Sequence, residues 1–587
     1  MKKYLQEIRH LLGSEIYKLP KLIFLFLGVT LLDLVGIGLI GPYMTVVFDP
    51  QSLDGKLGEI VSSVGLPSDE KSLVIIVGAT ICIVFILKAF SSMWINYRII
   101  AFSIQQQVRL RLYLMRAYQS LPYTEYLRRN SSEYIHGMQV LSGEFSSGAL
   151  IPILRTISDG MVALAILCLL AWTNGPVLII LATMLIGLVI GYDKIFRRRL
   201  GSFGEQINNS NTRMLQGIHE GIEGMKEIRI LGKEAYFYNM VRSETKKIAH
   251  ISSIYQIISM APRHILEVLF VCFFVALVTI TLLLGDGMQT LLSTVGIFGV
   301  AALRLIPSVN MLFANLIQLR HGRNSISRLY NDLIEIEKLG LTPTDTITNK
   351  TDNTFESLKV SNVSFSYPKM KSESIKQVSF YIKKGESVGL MGPSGSGKTT
   401  LVDILLGLLE PSAGAIKYNG SDLGKRMQAW RSQVAYLPQQ VFIMDNTLRC
   451  NVALGVEEND IDDTRVNESL RQAFLPEVVE QLPEGIDTVL GERGVRLSGG
   501  QRQRVALARA FYHGRNVLVM DEATSALDNE TEHEIVEEIR KLQGVKTLIV
   551  IAHRLTTLKY CDRIFKLENG EIIEEGDHES IIGEKVH

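Results

Sequence analysis

The sequence predicts two domains of different class: an α-helical membrane domain over 1–325 and an α/β P-loop domain over 357–587, joined by a linker at 326–356. Three observations carry this. The 587 residues exceed what one hydrophobic core usually organises. Apolar residues gather in long runs within the first 320 positions. A complete phosphate-loop pattern, Gly392-Pro393-Ser394-Gly395-Ser396-Gly397-Lys398-Thr399, lies between an apolar strand-like run at 387–391 and an apolar helix-like run at 401–408.

Six runs are long and apolar enough to span a bilayer: about 22–48, 72–97, 149–172, 175–192, 251–284 and 290–319. Lys and Arg crowd the N-terminus and the stretches 98–148 and 193–250, while the other loops hold almost none. The positive-inside rule then places both termini in the cytoplasm of a multi-pass protein of the cytoplasmic (inner) membrane. The two long inside stretches carry helix formers of mixed charge, so they are expected to extend the helices below the membrane. Leu121–Arg129 and Met225–Tyr238 are candidate places to touch the soluble domain, with plain solvated helix as the equal alternative. On the outside, Leu53, Leu57, Ile60, Val61 and Val64 form one apolar stripe, read as a cap packed on the spans or as a helix lying on the outer leaflet.

Composition excludes some classes. Sixty-one basic against sixty acidic residues give a net charge of +1, so no nucleic-acid partner is indicated. The five cysteines have no ligand spacing, and no disulfide framework or metal cluster is expected from them. The first twenty residues mix charges with apolar positions and do not read as a removable leader.

A charge inside an apolar span costs about 2.5–3.5 kcal/mol on insertion scales, so Lys88, Arg263 and Arg304 need a reason. At about 1.5 Å of rise per residue, all three fall towards the inner leaflet. They can form a cationic belt around a central cavity, suited to a phosphate or pyrophosphate group. Equally, Lys88 can snorkel to the headgroups while Arg263 pairs with Glu267 one turn on, as Arg155 can with Asp159.

The P-loop dictates its own chemistry. Its glycines let backbone N–H groups face phosphate oxygens, Lys398 reaches the terminal phosphates, Thr399 offers a hydroxyl to Mg2+, and Thr400 closes the set. Downstream, Val517-Leu-Val-Met-Asp521-Glu522 reads as a buried strand ending in two carboxylates. Asp521 would hold hydrated Mg2+, and Glu522 would orient and deprotonate the water that attacks the terminal phosphate of ATP.

Leu497-Ser498-Gly499-Gly500-Gln501 resembles the signature sequence of ATP-binding cassette proteins, and the resemblance extends along the whole chain. Within it, Tyr367 matches the aromatic that stacks on adenine and Gln439 the glutamine that reaches Mg2+ and the water. Ser525 to Asp528 matches the D-loop, and His553 the switch histidine. The resemblance implies an exporter of the type I fold, a domain-swapped dimer in which the signature loop of one subunit covers the P-loop nucleotide of the other. With all motifs intact, two identical subunits suffice.

The segments Phe85-Ile-Leu-Lys88-Ala, Ala261-Pro-Arg263-His-Ile-Leu-Glu267 and Leu303-Arg304-Leu-Ile-Pro307-Ser-Val-Asn310 further resemble the lipid-linked oligosaccharide flippases, although Lys88 replaces an arginine there. That likeness implies an anionic, lipid-linked substrate gripped by the belt and favours the belt over snorkelling. A general lipid or drug exporter is the alternative reading, and an ATP-gated channel or receptor on the same fold is a further one.

Overall fold

The computed structural model describes residues 2–48, 70–173, 175–284, 288–339, 354–368, 370, 372–521, 537, 540–551 and 555–582. Two compact units emerge, Met1–Leu121 with Arg129–Thr344, and Pro122–Arg128 with Asp345–His587.

In the first unit an amphipathic helix α1 (Lys2–Leu12) precedes α2 (Leu19–Phe48), α3 (Glu70–Gln119), α4 (Ile151–Thr173), α5 (Gly175–Glu223), α6 (Glu234–Leu284) and α7 (Met288–His321). Five helical stretches in α2 to α6 are long and apolar enough to cross a membrane, and α7 carries the sixth apolar run. Large apolar side chains such as Ile83, Ile86, Phe90 and Met93 point outward from α3, as expected where lipid tails are the solvent. The helices run far beyond the spans: α5 and α6 continue through residues 193–250, in line with the extension expected there. Within the unit α2 packs on α3, α4 on α7, and α5 on α6. A bidentate pair from Arg320 to Asp193, at 3.0 and 3.1 Å, fastens the end of α7 to α5.

Residues 326–338, which the fall in hydropathy places in the linker, are instead helical in α8 (Arg323–Lys338). The reason is periodicity: Ile326, Leu329, Leu333 and Ile336 recur at helical spacing and are buried in the same core as Tyr4, Ile8 and Leu11 of α1. The outer stripe 53–64 lies outside the described residues.

The second unit has strands β1 (Ser357–Phe365), β2 (Ile375–Lys383), β3 (Ser387–Met391), β4 (Ala413–Tyr418), β5 (Ser421–Asp422), β6 (Val434–Leu437), β7 (Val517–Asp521), β8 (Thr547–Ile551), β9 (Arg563–Glu568) and β10 (Glu571–Gly576) among the described residues. A six-stranded sheet runs β10-β9-β3-β8-β7-β6, and a four-stranded antiparallel sheet β2-β1-β4-β5 lies in the same domain. The strands that matter for the site are β3, β6, β7 and β8, all parallel. Strands β7 and β8 are buried at every residue, which is why they read as unbroken apolar runs rather than alternating ones. The short helical turn Tyr123–Tyr126 belongs to this unit, and Tyr123 packs against its core. By contrast the helix Met225–Leu231 buries none of its residues.

Candidate functional site

The P-loop leaves the C-terminal end of β3 and enters α9 (Lys398–Leu405), the strand–loop–helix order at which parallel sheets bind ligands. Two of its glycines are obligatory. Gly392 has φ 149°, and a Cβ there would stand 2.1 Å from the carbonyl oxygen of Leu567. Gly397 has φ 104°, and its Cβ would meet the Ser374 oxygen at 2.8 Å. Pro393, Ser394 and Gly395 form the exposed rim between them. The Lys398 ammonium donates to the Gly392 and Pro393 oxygens at 2.8 and 2.9 Å, which holds it over the loop. Ser396 is only 3 % exposed, and its hydroxyl has no hydrogen-bond partner. An orphaned buried hydroxyl beneath a helix N-terminus fits a phosphate-binding loop.

Beside the loop, Tyr367 stands edge-on to Phe365, with ring centroids 5.0 Å apart, and its hydroxyl lies 3.3 Å from the Thr400 hydroxyl. That contact ties the adenine-stacking candidate to the first turn of α9. Thr399 is exposed on the same turn, and Gln439 is exposed just beyond β6.

Asp521 ends β7 and is 7 % exposed. Tyr436, from neighbouring β6, donates its hydroxyl to Asp521 Oδ2 at 3.1 Å. Burial, then the Asp521 charge, raises the Tyr436 pKa well above the usual phenol range. Asp403 faces the same carboxylate from α9, one helical turn beyond Thr399. Burial first, and then the Asp521 charge, pushes its pKa up to about 6. Sequence reasoning missed both residues, although a lone carboxylate inside the apolar run 401–408 was a visible signal. An acid whose folded pKa lies above its unfolded value adds stability below that unfolded value, and loses it as pH rises through about 6. Asp403→Asn is therefore expected to raise the melting temperature of the nucleotide-free chain most at pH 8, less at pH 5, and little at pH 3, below the unfolded value. A lowered melting temperature at pH 8 would refute this.

The signature residues form a helix start. Leu497 is buried, and Ser498 caps α10 (Gly499–Tyr512) by accepting from the Gln501 N–H at 3.2 Å. The Gln501 side chain accepts from the Ser498 N–H at 2.8 Å, completing a capping box, while Gly499 and Gly500 open the first turn. Glu522, Asp528 and His553 lie outside the described residues.

The membrane unit holds a cavity of about 200 Å³ among α2, α3, α4 and α7. Lys88 lines it, together with Asp33, Asn96, Arg155, Asp159 and Ser308. Lys88 forms an ion pair with Asp33, both side chains being about one-tenth exposed. Arg263 does not line this cavity: it is 71 % exposed and bonded to Glu267 at 3.2 Å, the pairing expected from their spacing. Arg304 sits in α7, and its side chain lies outside the described set. The structure thus brings Lys88 together with Arg155 rather than with Arg263. Asp33, the lone acid in the run 22–48, was the missed signal.

Two family models match the chain: the ABC transporter transmembrane region over residues 19–301 and the ABC transporter model over 375–525. A protein named ATP-dependent lipid A-core flippase from Alcanivorax borkumensis is 30 % identical over 551 residues, which cover 90 % of this chain and 89 % of that protein. One of the same name from Ralstonia nicotianae is 32 % identical, covering 76 % and 73 % of the two chains. A solved bacterial Atm1-family ABC exporter with ATP bound superposes with a TM-score of 0.76 at 21 % identity, over 97 % of this chain and 96 % of that one. That likeness bears on the fold alone. The chain belongs to the ATP-binding cassette transporter family, as a half-transporter of exporter fold that couples ATP hydrolysis to transport.

Proposed function

We propose that the protein flips a lipid with an anionic head group, most specifically a pyrophosphate-linked oligosaccharide lipid, from the inner to the outer leaflet of the cytoplasmic membrane. The observation that carries this reading is the cavity of the membrane unit, where Lys88 and Arg155 stand among apolar helices. Cationic side chains at such depth are costly; Lys88 already faces Asp33, but the buried Arg155 Nε has no hydrogen-bond partner and offers a donor to an anionic head group. The relatives named as lipid A-core flippases favour a second reading within the same class, in which the cargo is a lipid A-core glycolipid.

ATP supplies the drive. Lys398 and the loop N–H groups hold the phosphates, and Tyr367 stacks on the base. Thr399, Asp521 and Gln439 offer hydroxyl, carboxylate and amide oxygens, a hard-oxygen set that suits Mg2+. Bound there, Mg2+ neutralises charge on the terminal phosphates. Tyr436 donates to Oδ2 of Asp521 and so aims the carboxylate of that set. Glu522 takes the proton of the attacking water, and His553 and Gln439 orient it. The capped start of α10 serves a second, identical subunit, whose nucleotide it covers. The two ATPase domains close on ATP and part after hydrolysis, and the helices alternate between inward and outward openings. Both termini stay in the cytoplasm.

The test is ATP-dependent flipping of a polyprenyl-pyrophosphate oligosaccharide in proteoliposomes, with basal ATPase recorded alongside. Flipping is expected to vanish in Glu522→Gln and in Lys88→Gln plus Arg155→Gln, while the latter keeps its ATPase. Robust ATPase without flipping of this lipid defeats the pyrophosphate reading, and a lipid A-core cargo or a general lipid or drug exporter takes its place.

A further inference from the structure

The charges of the membrane cavity balance: Lys88 and Arg155 stand with Asp33 and Asp159 among its lining residues. The balance is unevenly used. Lys88 and Asp33, from different helices, already form an ion pair, and both are largely buried. Arg155 Nε and Asp159 Oδ2 are also buried, yet neither has a hydrogen-bond partner. The cavity thus carries one closed pair and, beside it, unspent donor and acceptor capacity.

A buried ammonium without a partner is strongly destabilising, so Asp33 lets α2 and α3 pack before any cargo arrives. The same carboxylate opposes an incoming anion, which must take its place on Lys88. A neutral head group gains nothing by parting the pair, because that would leave two buried charges unpaired.

We propose that Asp33 is a displaceable counter-ion: it neutralises Lys88 until an anionic head group takes its place, and so sets the preference for anionic over neutral lipids. This rests on the lipid-head reading of the cavity given above. Arg155 Nε supplies a second donor to the entering anion, and Asp159 turns its unbonded oxygen to hydroxyls of the head group.

Equilibrium binding of radiolabelled polyprenyl pyrophosphate and of the matching neutral polyprenol to the full chain in detergent micelles tests the proposal. Asp33→Asn is expected to tighten pyrophosphate binding roughly tenfold, a usual size for a coupling between two ligands of one site. Polyprenol binding should not move. In a Lys88→Gln background the same substitution should have no effect on either lipid. Unchanged or weakened pyrophosphate binding by monodisperse Asp33→Asn protein overturns the proposal, as does an equal gain for polyprenol. Should Asp33→Asn aggregate, the exchanged pair Asp33→Lys with Lys88→Asp keeps both charges. Retention of the anionic preference there supports the proposal, and its loss overturns it. If the wild type binds no polyprenyl pyrophosphate, the cargo reading fails by itself. The counter-ion is then read from the ratio of phosphatidylglycerol to phosphatidylcholine binding, which Asp33→Asn should raise; no rise overturns it.

Discussion

Lys398→Ala is expected to lower ATP hydrolysis by at least about 100-fold, the scale on which one pre-organised donor at a developing charge acts. Three features of the loop lead to this. The side chain is buried at the start of α9, so no neighbouring cation can swing into its place without reopening the loop. Its ammonium is held by two backbone oxygens of the loop itself, so its position is set before ATP arrives. The orphaned Ser396 hydroxyl and the strained glycines shape a cradle whose only buried charge is this ammonium, among the described loop residues. Losing it removes the counter-charge and takes one donor from each of the Gly392 and Pro393 oxygens, the latter keeping the Ser396 N–H at 3.2 Å. Nucleotide affinity should fall along with turnover. Steady-state ATPase with fluorescent-nucleotide titration on the full chain checks both, and turnover within threefold of wild type would sink the assignment. Arginine should not rescue, because a planar fork cannot fill the space of a compact ammonium between two carbonyl groups.

The parts of this molecule that were legible in the sequence are those where backbone geometry leaves few options. Gly392 and Gly397 occupy conformations and contacts closed to a side chain, so the loop is written in residue type alone. Strand β7 is buried throughout and therefore appears as an apolar run ending in Asp521. The capping box around Ser498 and Gln501 is likewise a local pattern, formed within four residues. What stayed hidden depends on partners far apart in the chain. Asp33 and Lys88 are separated by 55 positions, and nothing local announces that they meet. Tyr436 and Asp521 meet only because β6 and β7 are neighbours in a sheet whose order the sequence does not spell out. Helix α8 reads as linker by mean hydropathy because its polar face lowers that mean, while its apolar face at 326, 329, 333 and 336 is what binds it to α1. Periodicity would have recovered it where average hydropathy did not.

Glu522→Gln is expected to lower hydrolysis by about 10²- to 10⁴-fold while leaving ATP binding intact, the range spanned by loss of a positioned general base. Glutamine keeps the size and the hydrogen-bonding reach of the carboxylate, so the water can still be held, but the amide cannot accept its proton. The neighbouring Asp521 cannot substitute. It ends a strand buried on both faces, and its Oδ2 already accepts from Tyr436, which aims the carboxylate rather than leaving it free to move. Asp403 cannot substitute either: it lies on the helix below Thr399, and burial favours its protonated form up to about pH 6. The variant should therefore accumulate bound ATP, and with two subunits closing on two nucleotides it should enrich the closed dimer. Rapid gel filtration with radiolabelled ATP measures the trapped nucleotide, and cross-linking reports the dimer. Ready phosphate release by Glu522→Gln, at more than a tenth of the wild-type rate, would assign the base to another group. Equal loss of ATP binding and hydrolysis would instead make Glu522 a ligand of the nucleotide, and the division of labour between Asp521 and Glu522 would have to be reversed.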